Sequence, residues 1–431
     1  MKCAERNYFL PVFLMLLLAA SAQVPVRRLA PADGLFEAGK FPEARQLYEQ
    51  IANKNAKDVH AAEQLGHIAL LGNQLDEAQK WLEKALAVNP GEVEAKIMLA
   101  EVFYRRNDFP RAAAAMEGVS PEADGLRSYS TLNRAKLESF KGQVAYELHG
   151  DGEITRLKFV KSEPLPLVHV RVNGSPEAIF FLDTGGSELL LDTEFAAELG
   201  VKSMGSVQGT FSGGQHAEVG NGRIDSLTLG DWTLKNVPVG MLPLRSLSEG
   251  FGMKRIDGCV GTNVLYQFLA TLDYPAGELV LRRKTAANLK QFESESKGRN
   301  VVVPMWLAGD HFMVAWGRVQ ENPPALMFID SGLAGAGVKL AEPPIKEANI
   351  KLERDKATTG QGGGGVLQVV PYVVQEVSLG DVREKNVEGL YDGPFPWERV
   401  WGFYVAGMVG HDFLKSHAVT FDFVGMRVIF R

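Results

Sequence analysis

Two aspartates at the ends of apolar runs are the residues of this sequence best suited to chemistry. The segment AIFFLDTGGSELLLD (178–192) places Asp183 before Thr-Gly, and the segment ALMFIDSGLAGAGVKL (325–340) places Asp330 before Ser-Gly in the same way. A buried carboxylate is costly unless it is paired or hydrogen-bonded, so each aspartate needs a reason to be there. A strand end followed by a turn would explain one triplet, but two such triplets indicate carboxylates that work together.

An internal repeat relates the two triplets. Asp183 and Asp330 are 147 residues apart, and the segments CVGTNVLYQFLATLDY (259–274) and MVGHDFLKSHAVTFDF (408–423) align without a gap at a separation of 149. The β-rich part of the chain is therefore predicted to be a tandem duplication. Lobes that face each other across an approximate two-fold axis bring equivalent residues together, here at the bottom of a cleft. The predicted lobes are 155–285 and 298–431.

Two facing carboxylates that share one proton form an acid/base pair. One can take a proton from water while the other protonates a carbonyl oxygen, which is the chemistry needed to hydrolyse an amide. The residues after each aspartate then support the pair. Gly185 and Gly332 allow a close backbone approach, and Thr184 and Ser331 can hydrogen-bond across the axis.

The β-rich region resembles the aspartic proteases, in particular the bacterial retropepsin-like kind, arranged as one two-lobed chain as in pepsins. The resemblance spans about 270 residues and rests on both Asp-hydroxyl-Gly triplets, each followed about 80 residues later by an apolar pair and a glycine. Those later segments are Cys259-Val260-Gly261 and Met408-Val409-Gly410. The resemblance implies an aspartic-type peptidase with Asp183 and Asp330 as catalytic residues, a polypeptide substrate and no cofactor.

The resemblance also implies a β-hairpin flap that closes over the substrate. GTFSGG (209–214) and GQGGGG (360–365) occupy equivalent places in the two lobes, and glycine-rich tips can hinge as a lid requires. The predicted flap residues are Gly209, Phe211, Gly213, Gly360, Gly362 and Gly364. The second segment also matches the G-x-G-x-x-G pattern of nucleotide loops, but no helix-forming sequence follows it, so a nucleotide site is rejected.

Two positions depart from the family pattern. The residue after each triplet is usually Ala, Ser or Thr in this family, but here it is Gly186 and Leu333. A hydroxyl at this place can support the outer carboxylate oxygen, so its loss is expected to weaken activity, and Leu333 is expected to crowd the site. The alternative function is therefore a catalytically weak or inactive peptide-binding scaffold that uses the cleft and the helical repeats.

A second repeat system precedes the β-rich region, between residues 28 and 125. The segments 41–44, 75–78 and 109–112 end in alanines spaced 34 residues apart, which is the tetratricopeptide (TPR) period. The predicted fold is multidomain: N-terminal TPR-like helical repeats, a linker at 126–154, and a bilobal all-β region of the aspartic-protease type. The repeats predict either a docking surface for a protein partner or a structural cap on the following domain.

The N-terminus predicts export. Lys2 and Arg6 precede an apolar run, and Ala20-Ser21-Ala22 matches a small-x-small cleavage site, a secretory signal pattern over residues 1–22. The mature chain is expected to begin near Gln23 and to be periplasmic or secreted. An uncleaved membrane anchor is the alternative.

Composition excludes several other classes. The formal charge of −6 over 431 residues argues against nucleic-acid binding. The eight histidines show no metal-ligand spacing, so no metal is expected. Cys259 is the one cysteine outside the signal segment and is expected to be a buried, inert thiol. Because both lobes lie in one chain, we expect a monomer. The aromatic segment 391–403 is predicted to form either cleft wall or core.

Overall fold

We analyse a computed structural model of the chain, which describes residues 30–119, 131–295, 298 and 300–431. The predicted signal peptide (1–22) and the expected mature start at Gln23 lie outside the described residues. Within the described part of the chain, no helix combines the length and the apolar character needed to cross a membrane.

Helical hairpins form the N-terminal part. The helices of the described residues are α1 (Pro31–Glu37), α2 (Phe41–Lys54), α3 (Val59–Leu71), α4 (Leu75–Val88), α5 (Val93–Arg105), α6 (Phe109–Ala115), α7 (Arg134–Glu138), α8 (Thr193–Glu198), α9 (Thr262–Leu265), α10 (Ala286–Glu295), α11 (Glu342–Glu347) and α12 (His411–Leu414). Ala44, Ala78 and Ala112, the residues that define the 34-residue period, are fully buried. Small side chains at these positions let neighbouring helices pack closely, which explains the repeat.

Two sheets make up the β-rich region. The strands of the described residues are β1 (Glu147–His149), β2 (Ile154–Lys158), β3 (Leu167–Val172), β4 (Ala178–Leu182), β5 (Leu189–Asp192), β6 (Ser206–Thr210), β7 (His216–Leu229), β8 (Trp232–Leu242), β9 (Gly258–Val260), β10 (Phe268–Asp273), β11 (Glu278–Arg283), β12 (Val301–Ala308), β13 (Phe312–Val319), β14 (Ala325–Ile329), β15 (Val338–Leu340), β16 (Thr358–Gly362), β17 (Gly365–Leu379), β18 (Val382–Tyr391), β19 (Val405–Val409), β20 (Ala418–Asp422) and β21 (Arg427–Phe430). The first sheet has the order β1-β8-β5-β9-β4-β3-β7-β6. The second has the order β16-β17-β18-β15-β19-β14-β13-β12-β21-β20-β10-β11-β2, so strands from both lobes share it.

An approximate two-fold axis passes between β10 and β20. Thr271 of β10 pairs with Thr420 of β20, and these are residues that the sequence repeat makes equivalent. Their hydroxyl oxygens lie 2.7 Å apart in a hydrogen bond and both side chains are buried. A residue that pairs with its own equivalent must lie on the symmetry axis. The two lobes are therefore joined by a continuous hydrogen-bonded sheet.

The helices and the β-rich region share one hydrophobic core. Leu82 and Phe103 from the helices belong to the same buried cluster as Leu182 and Val260 from the strands. A second cluster packs Phe41 of α2 against the second lobe. This packing covers much of α3 and α5, because nearly every residue from Ala61 to Leu71 and from Ile97 to Arg105 is buried. The helical repeats thus pack as a cap on the β-rich region in the described residues, and the docking surface for a protein partner stays a prediction.

The predicted linker is wrong in part. The segment 126–154 contains α7 and β1, and β1 extends the first sheet by pairing antiparallel with β8. Leu137 and Phe140 are fully buried in the shared core, while the charged residues around them that suggested a linker mostly face solvent.

Arg105, at the end of α5, ties the helices to the second lobe. Its guanidinium donates to the carbonyl of Leu70 at 2.7 Å and, across the interface, to those of Leu307 at 3.0 Å and Gly309 at 2.7 Å. It also forms an ion pair with Glu101, and both side chains are almost completely buried. One cation therefore satisfies three carbonyl groups and a carboxylate that water does not reach.

We predict that Arg105→Met lowers the free energy of unfolding by about 3 to 5 kcal/mol, because it removes the cation facing a buried carboxylate. Urea denaturation followed by circular dichroism measures the change. The control is Arg134→Met, because Arg134 pairs with Glu138 at an exposed site, and we expect no measurable change there. Equal stability of the two variants would contradict the role given to Arg105.

Candidate active site

The ends of two central strands place the two aspartates. Strands β4 and β14 run parallel to β9 and β19, respectively. The N–H of Asp183 donates to the carbonyl of Val260 at 3.2 Å, and the N–H of Asp330 donates to that of Val409 at 3.0 Å. Because the apolar strands are buried, both aspartate backbones are fixed by the core.

Reciprocal hydrogen bonds join the two aspartate loops across the axis. The N–H of Thr184 donates to Ser331 Oγ at 2.9 Å, and the N–H of Ser331 donates to Thr184 Oγ1 at 2.9 Å. Each hydroxyl then donates to a carbonyl of the opposite strand, Thr184 to Ile329 at 3.0 Å and Ser331 to Leu182 at 3.4 Å. Both hydroxyl residues are fully buried. The structure therefore brings the predicted supporting residues together in the arrangement that their types suggest.

Gly185 and Gly332 let each loop lie against the opposite carboxyl group. A Cβ atom added at Gly185 would lie 2.5 Å from Asp330 Oδ1, and one added at Gly332 would lie even closer to Asp183. The N–H of each glycine donates to the aspartate of its own loop, at 2.7 Å to Asp183 Oδ1 and at 2.8 Å to Asp330 Oδ1. Any larger residue would push the two carboxyl groups apart.

The two carboxyl groups share one electrostatic environment at the floor of the cleft. Burial raises the pKa of both. The pKa of Asp330 lies well above its usual range, because the negative charge of Asp183 adds to the effect of burial. For Asp183, burial is partly offset by hydrogen bonds from Asp330 and from the N–H of Gly185, which lower its pKa. Two buried carboxyl groups in contact favour one shared proton, so that one is ionised while the other is protonated.

A buried ion pair holds the first aspartate loop from the side of the helices. Glu188 lies five residues after Asp183 and accepts hydrogen bonds from Lys136 Nζ at 2.7 and 2.9 Å and from the hydroxyl of Tyr104. Its backbone carbonyl accepts from the N–H of Gly261 at 3.1 Å. Burial raises the pKa of Glu188, and Lys136 opposes that shift. The helical cap thus reaches the loop that carries Asp183.

Hairpins from both lobes line the cleft opposite the aspartates. The cleft has a volume of about 310 Å³ and is bordered by β6 and β7 of one lobe and by β16 and β17 of the other. The tips touch: Gln215 Nε2 donates to the carbonyl of Val366 at 2.7 Å, and the Phe211 ring lies against Gly363. Of the predicted flap residues, the structure places four on the cleft wall and two at the hairpin tips. The wall residues are Gly209, Phe211, Gly360 and Gly362, and the tip residues are Gly213 and Gly364.

The two positions that depart from the family pattern both border the cleft. A Cβ atom at Gly186 would meet its nearest neighbours, the Asp183 carbonyl oxygen and Cys259 Sγ, at 3.4 and 3.5 Å, so a small side chain fits there. Leu333 packs against Gly410 and remains partly exposed to the cleft. The first departure leaves space unfilled, and the second narrows the cleft beside Asp330.

Sequence analysis missed three ionisable residues of the cleft. Lys339 and Asp392 form a buried ion pair with Nζ and Oδ2 2.7 Å apart, and both line the cleft. His311 also lines it, and is paired with Asp310. A lysine within the apolar segment GAGVKL was a signal comparable to the aspartates, whereas nothing in the local sequence marks Asp392 or His311.

Packing and ion pairing account for two further groups, the thiol of Cys259 and the cluster of Glu163, His411 and Asp412. Cys259 is fully buried and burial raises the pKa of its thiol, which fits the expected inert role. Glu163, His411 and Asp412 lie close enough to hold a metal ion, but Lys415 Nζ is 2.5 Å from Asp412 Oδ1 and already supplies positive charge. We therefore assign no metal to this group.

The aromatic segment 391–403 contributes both to the cleft wall and to the core, the two positions predicted for it. Trp397 lines the cleft. Phe395, Trp401 and Phe403 are buried in the cluster that receives the helical cap.

The fold and the site define a class: TPR helices followed by a large β-rich region of the aspartic-protease type. Residues 168–264 match a family model described as aspartyl protease, and residues 29–87 and 73–136 match two models described as tetratricopeptide repeat. A search of curated proteins found no match. Among solved structures, the crystal structure of Basic 7S globulin from soybean matches at 14% identity and a TM-score of 0.36, covering 66% of this chain and 95% of that one. The family-model matches alone show an aspartyl protease domain and N-terminal TPR repeats in this chain.

We predict that Asp330→Asn stabilises the protein at neutral pH and not in acid. The native pKa of Asp330 is raised above its unfolded value, so the native state holds this proton more tightly and stability falls as the pH rises from about 4 through the native pKa. Asparagine does not titrate, so the variant does not lose stability in this way as the pH rises. Urea denaturation at pH 3.5 and pH 7.5 measures it, with the exposed Asp381→Asn as control. A gain of the same size at both pH values would contradict the prediction.

Proposed function

We propose that this protein is an exported aspartic endopeptidase that hydrolyses peptide bonds with a water activated by Asp183 and Asp330. The observation that carries the proposal is the pair of carboxyl groups held together at the floor of a cleft by reciprocal hydrogen bonds between their loops. The aspartyl protease match over 168–264 supports a peptidase-like role. Export rests on the N-terminal signal pattern, and a monomeric active unit rests on both lobes lying in one chain.

The mechanism follows from the shared proton. The ionised Asp183 takes a proton from a water between the two carboxyl groups while the protonated Asp330 gives its proton to the carbonyl oxygen of the scissile amide. The water oxygen bonds to the carbonyl carbon and produces a tetrahedral intermediate. Asp183 then passes the proton that it took to the amide nitrogen, a hydroxyl of the intermediate returns a proton to Asp330, the C–N bond breaks, and the products are a carboxylic acid and an amine.

The two hairpins would exclude bulk water during the reaction. Their tips meet through Gln215 and Phe211, so an extended polypeptide must displace these contacts to enter and can be covered once it is bound. Removing water strengthens every electrostatic interaction of the two carboxyl groups.

A second candidate is a peptide-binding scaffold with little catalysis, which Gly186 and the narrowing by Leu333 favour. The helical repeats offer such a scaffold less free surface than their sequence suggests, because buried residues of α3 belong to a hydrophobic cluster with strands of the second lobe. A statine-type peptide inhibitor separates the candidates. Binding that is much tighter than that of the parent peptide indicates a working acid/base pair, since only that pair recognises the tetrahedral mimic.

We predict that wild-type peptidase activity is bell-shaped in pH with an acidic optimum, and that Asp183→Asn and Asp330→Asn each lower kcat by a factor of about 10³ or more. Each variant keeps the side-chain size and loses one member of the acid/base pair. The double variant should be scarcely worse than either single one, because the residues act as a unit. Circular dichroism and the Asp381→Asn control show whether the fold is retained. An Asp330→Asn enzyme that still cleaves peptides at near wild-type rate would require a partner for Asp183 from another chain.

We predict that Gly186→Ser raises kcat/KM about tenfold, the size expected of one charge-assisted hydrogen bond. The added Cβ has ordinary contacts of 3.4 Å or more, and the family pattern implies that a hydroxyl at this place donates to the carboxylate of Asp183. The acidic limb of the pH profile should also move to lower pH, because a hydrogen bond to the ionised form lowers its pKa. Gly186→Ala is the matched control. If the alanine variant gains as much as the serine variant, the hydroxyl has no part in the effect.

A further inference from the structure

The two lobes present chemically different walls at equivalent positions of the cleft. In the first lobe Leu190 pairs with Cys259, and in the second Lys339 pairs with Met408, the residue that the repeat equates with Cys259. The same register places Leu242 at the end of β8 and Asp392 just after β18. Leu190, Leu242, Lys339 and Asp392 all line the cleft. An apolar pair in one lobe is therefore replaced by an ion pair in the other.

The ion pair of the second lobe has hydrogen-bonding capacity left over. Lys339 Nζ donates to Asp392 Oδ2 at 2.7 Å and to Ser212 Oγ of the opposite flap at 3.3 Å, which uses two of its three protons. Asp392 Oδ1 is buried and has no hydrogen-bond partner among the described residues. The two side chains are 2% and 5% exposed. A buried acceptor without a partner and a donor with a spare proton thus lie side by side in the cleft wall.

The equivalent pocket of the first lobe has no such groups. Leu190 and Leu242 are joined there by Val219, and all three side chains border the cleft. Cys259, beneath them, belongs to the same apolar cluster. A pocket of this composition favours an apolar side chain, because it offers burial and no hydrogen bond.

We propose that Lys339 and Asp392 make this site selective for substrates that place a carboxamide side chain, Gln or Asn, in the pocket of the second lobe and an apolar side chain in the pocket of the first. The inference rests on the proposed peptidase function. A carboxamide carries a donor for Asp392 Oδ1 and an acceptor for the remaining proton of Lys339 Nζ, so it can form both hydrogen bonds at once. No single apolar or charged side chain does this.

Other side chains meet a penalty in the second pocket. A carboxylate would face Asp392 and an ammonium would face Lys339, and either would add an unbalanced charge to a pair that is neutral overall. An apolar side chain would leave Asp392 Oδ1 buried without a hydrogen-bond partner. A site built to hydrogen-bond its substrate rejects analogues that lack the matching groups more strongly than an apolar pocket rejects a change of size.

Cleavage of a small peptide set tests the proposal. The peptides carry Leu beside Gln, Leu, Glu or Lys at the central pair, in both orders, within a constant extended sequence. One of the two orders places the variable residue in the pocket of the second lobe. In that order, we expect kcat/KM for the Gln peptide to exceed that for the other three by about tenfold or more. The double variant Lys339→Leu/Asp392→Leu removes both charges together and should prefer the Leu-Leu peptide instead.

Two controls separate recognition from other effects of these substitutions. Ser212→Ala removes the contact between Lys339 and the flap but leaves the ion pair, so it should keep the Gln preference. Lys346→Leu/Glu342→Leu removes an exposed ion pair of α11 outside the cleft wall and should also keep it. A wild-type enzyme that cleaves the Leu-Leu peptide as well as the Gln peptide would overturn the proposal while leaving the peptidase function intact.

Binding of uncleavable reduced-amide analogues of the same peptides, measured by calorimetry, gives a readout independent of catalysis. If no peptide is cleaved but the Gln analogue binds about tenfold more tightly than the Leu analogue, the peptidase function fails and the pocket assignment stands. If neither cleavage nor preferential binding is seen, both are overturned.

Discussion

The reciprocal hydrogen bonds between Thr184 and Ser331 are the contact on which the rest of the site depends. Two carboxyl groups buried side by side repel each other as soon as both ionise, and burial itself disfavours their charged forms. Something must hold their loops together against that repulsion. The N–H and hydroxyl of each residue are bonded to the opposite loop at about 2.9 Å, in a place that water does not reach. Polar groups buried there have no alternative partners, so separating the loops would cost all of these bonds.

The contact between Thr184 and Ser331 keeps its geometry only if the two lobes are held in a fixed position relative to each other. The lobes are joined by the β10–β20 pairing, which repeats at Thr271 and Thr420 the same relation of equivalent residues. The helical cap adds a third connection, because Tyr104 of α5 donates to Glu188 in the first lobe while Arg105 binds carbonyls of the second. Helices that look in the sequence like a separate docking module are thus part of what fixes the geometry of the cleft.

The features that the sequence could reveal are those encoded at a constant spacing. The Asp183 and Asp330 loops, the glycine-rich hairpins and the alanine period of the helices all repeat, so each copy supports the assignment of the other. The ion pair between Lys339 and Asp392 has no counterpart in the first lobe, and its members are 53 residues apart. The packing of Phe41 against the second lobe joins residues far apart in the chain. Neither contact leaves a local periodic trace, and the short elements α7 and β1 fall below the length at which periodicity can be recognised.

The acid/base pair needs one ionised and one protonated carboxyl group, although the two lobes that supply them are duplicates. The loops, glycines and hydroxyl residues are matched between the lobes, so they cannot by themselves decide which carboxyl is ionised. The groups that break the match come from the second lobe: His311 opposes the rise that burial causes in the pKa of Asp183, and Lys339 opposes the rise that burial and the charge of Asp183 cause in the pKa of Asp330. Leu190 takes the place of Lys339 in the first lobe. The first lobe therefore supplies an apolar wall and the second supplies the charges, and this division makes two equivalent aspartates chemically distinct.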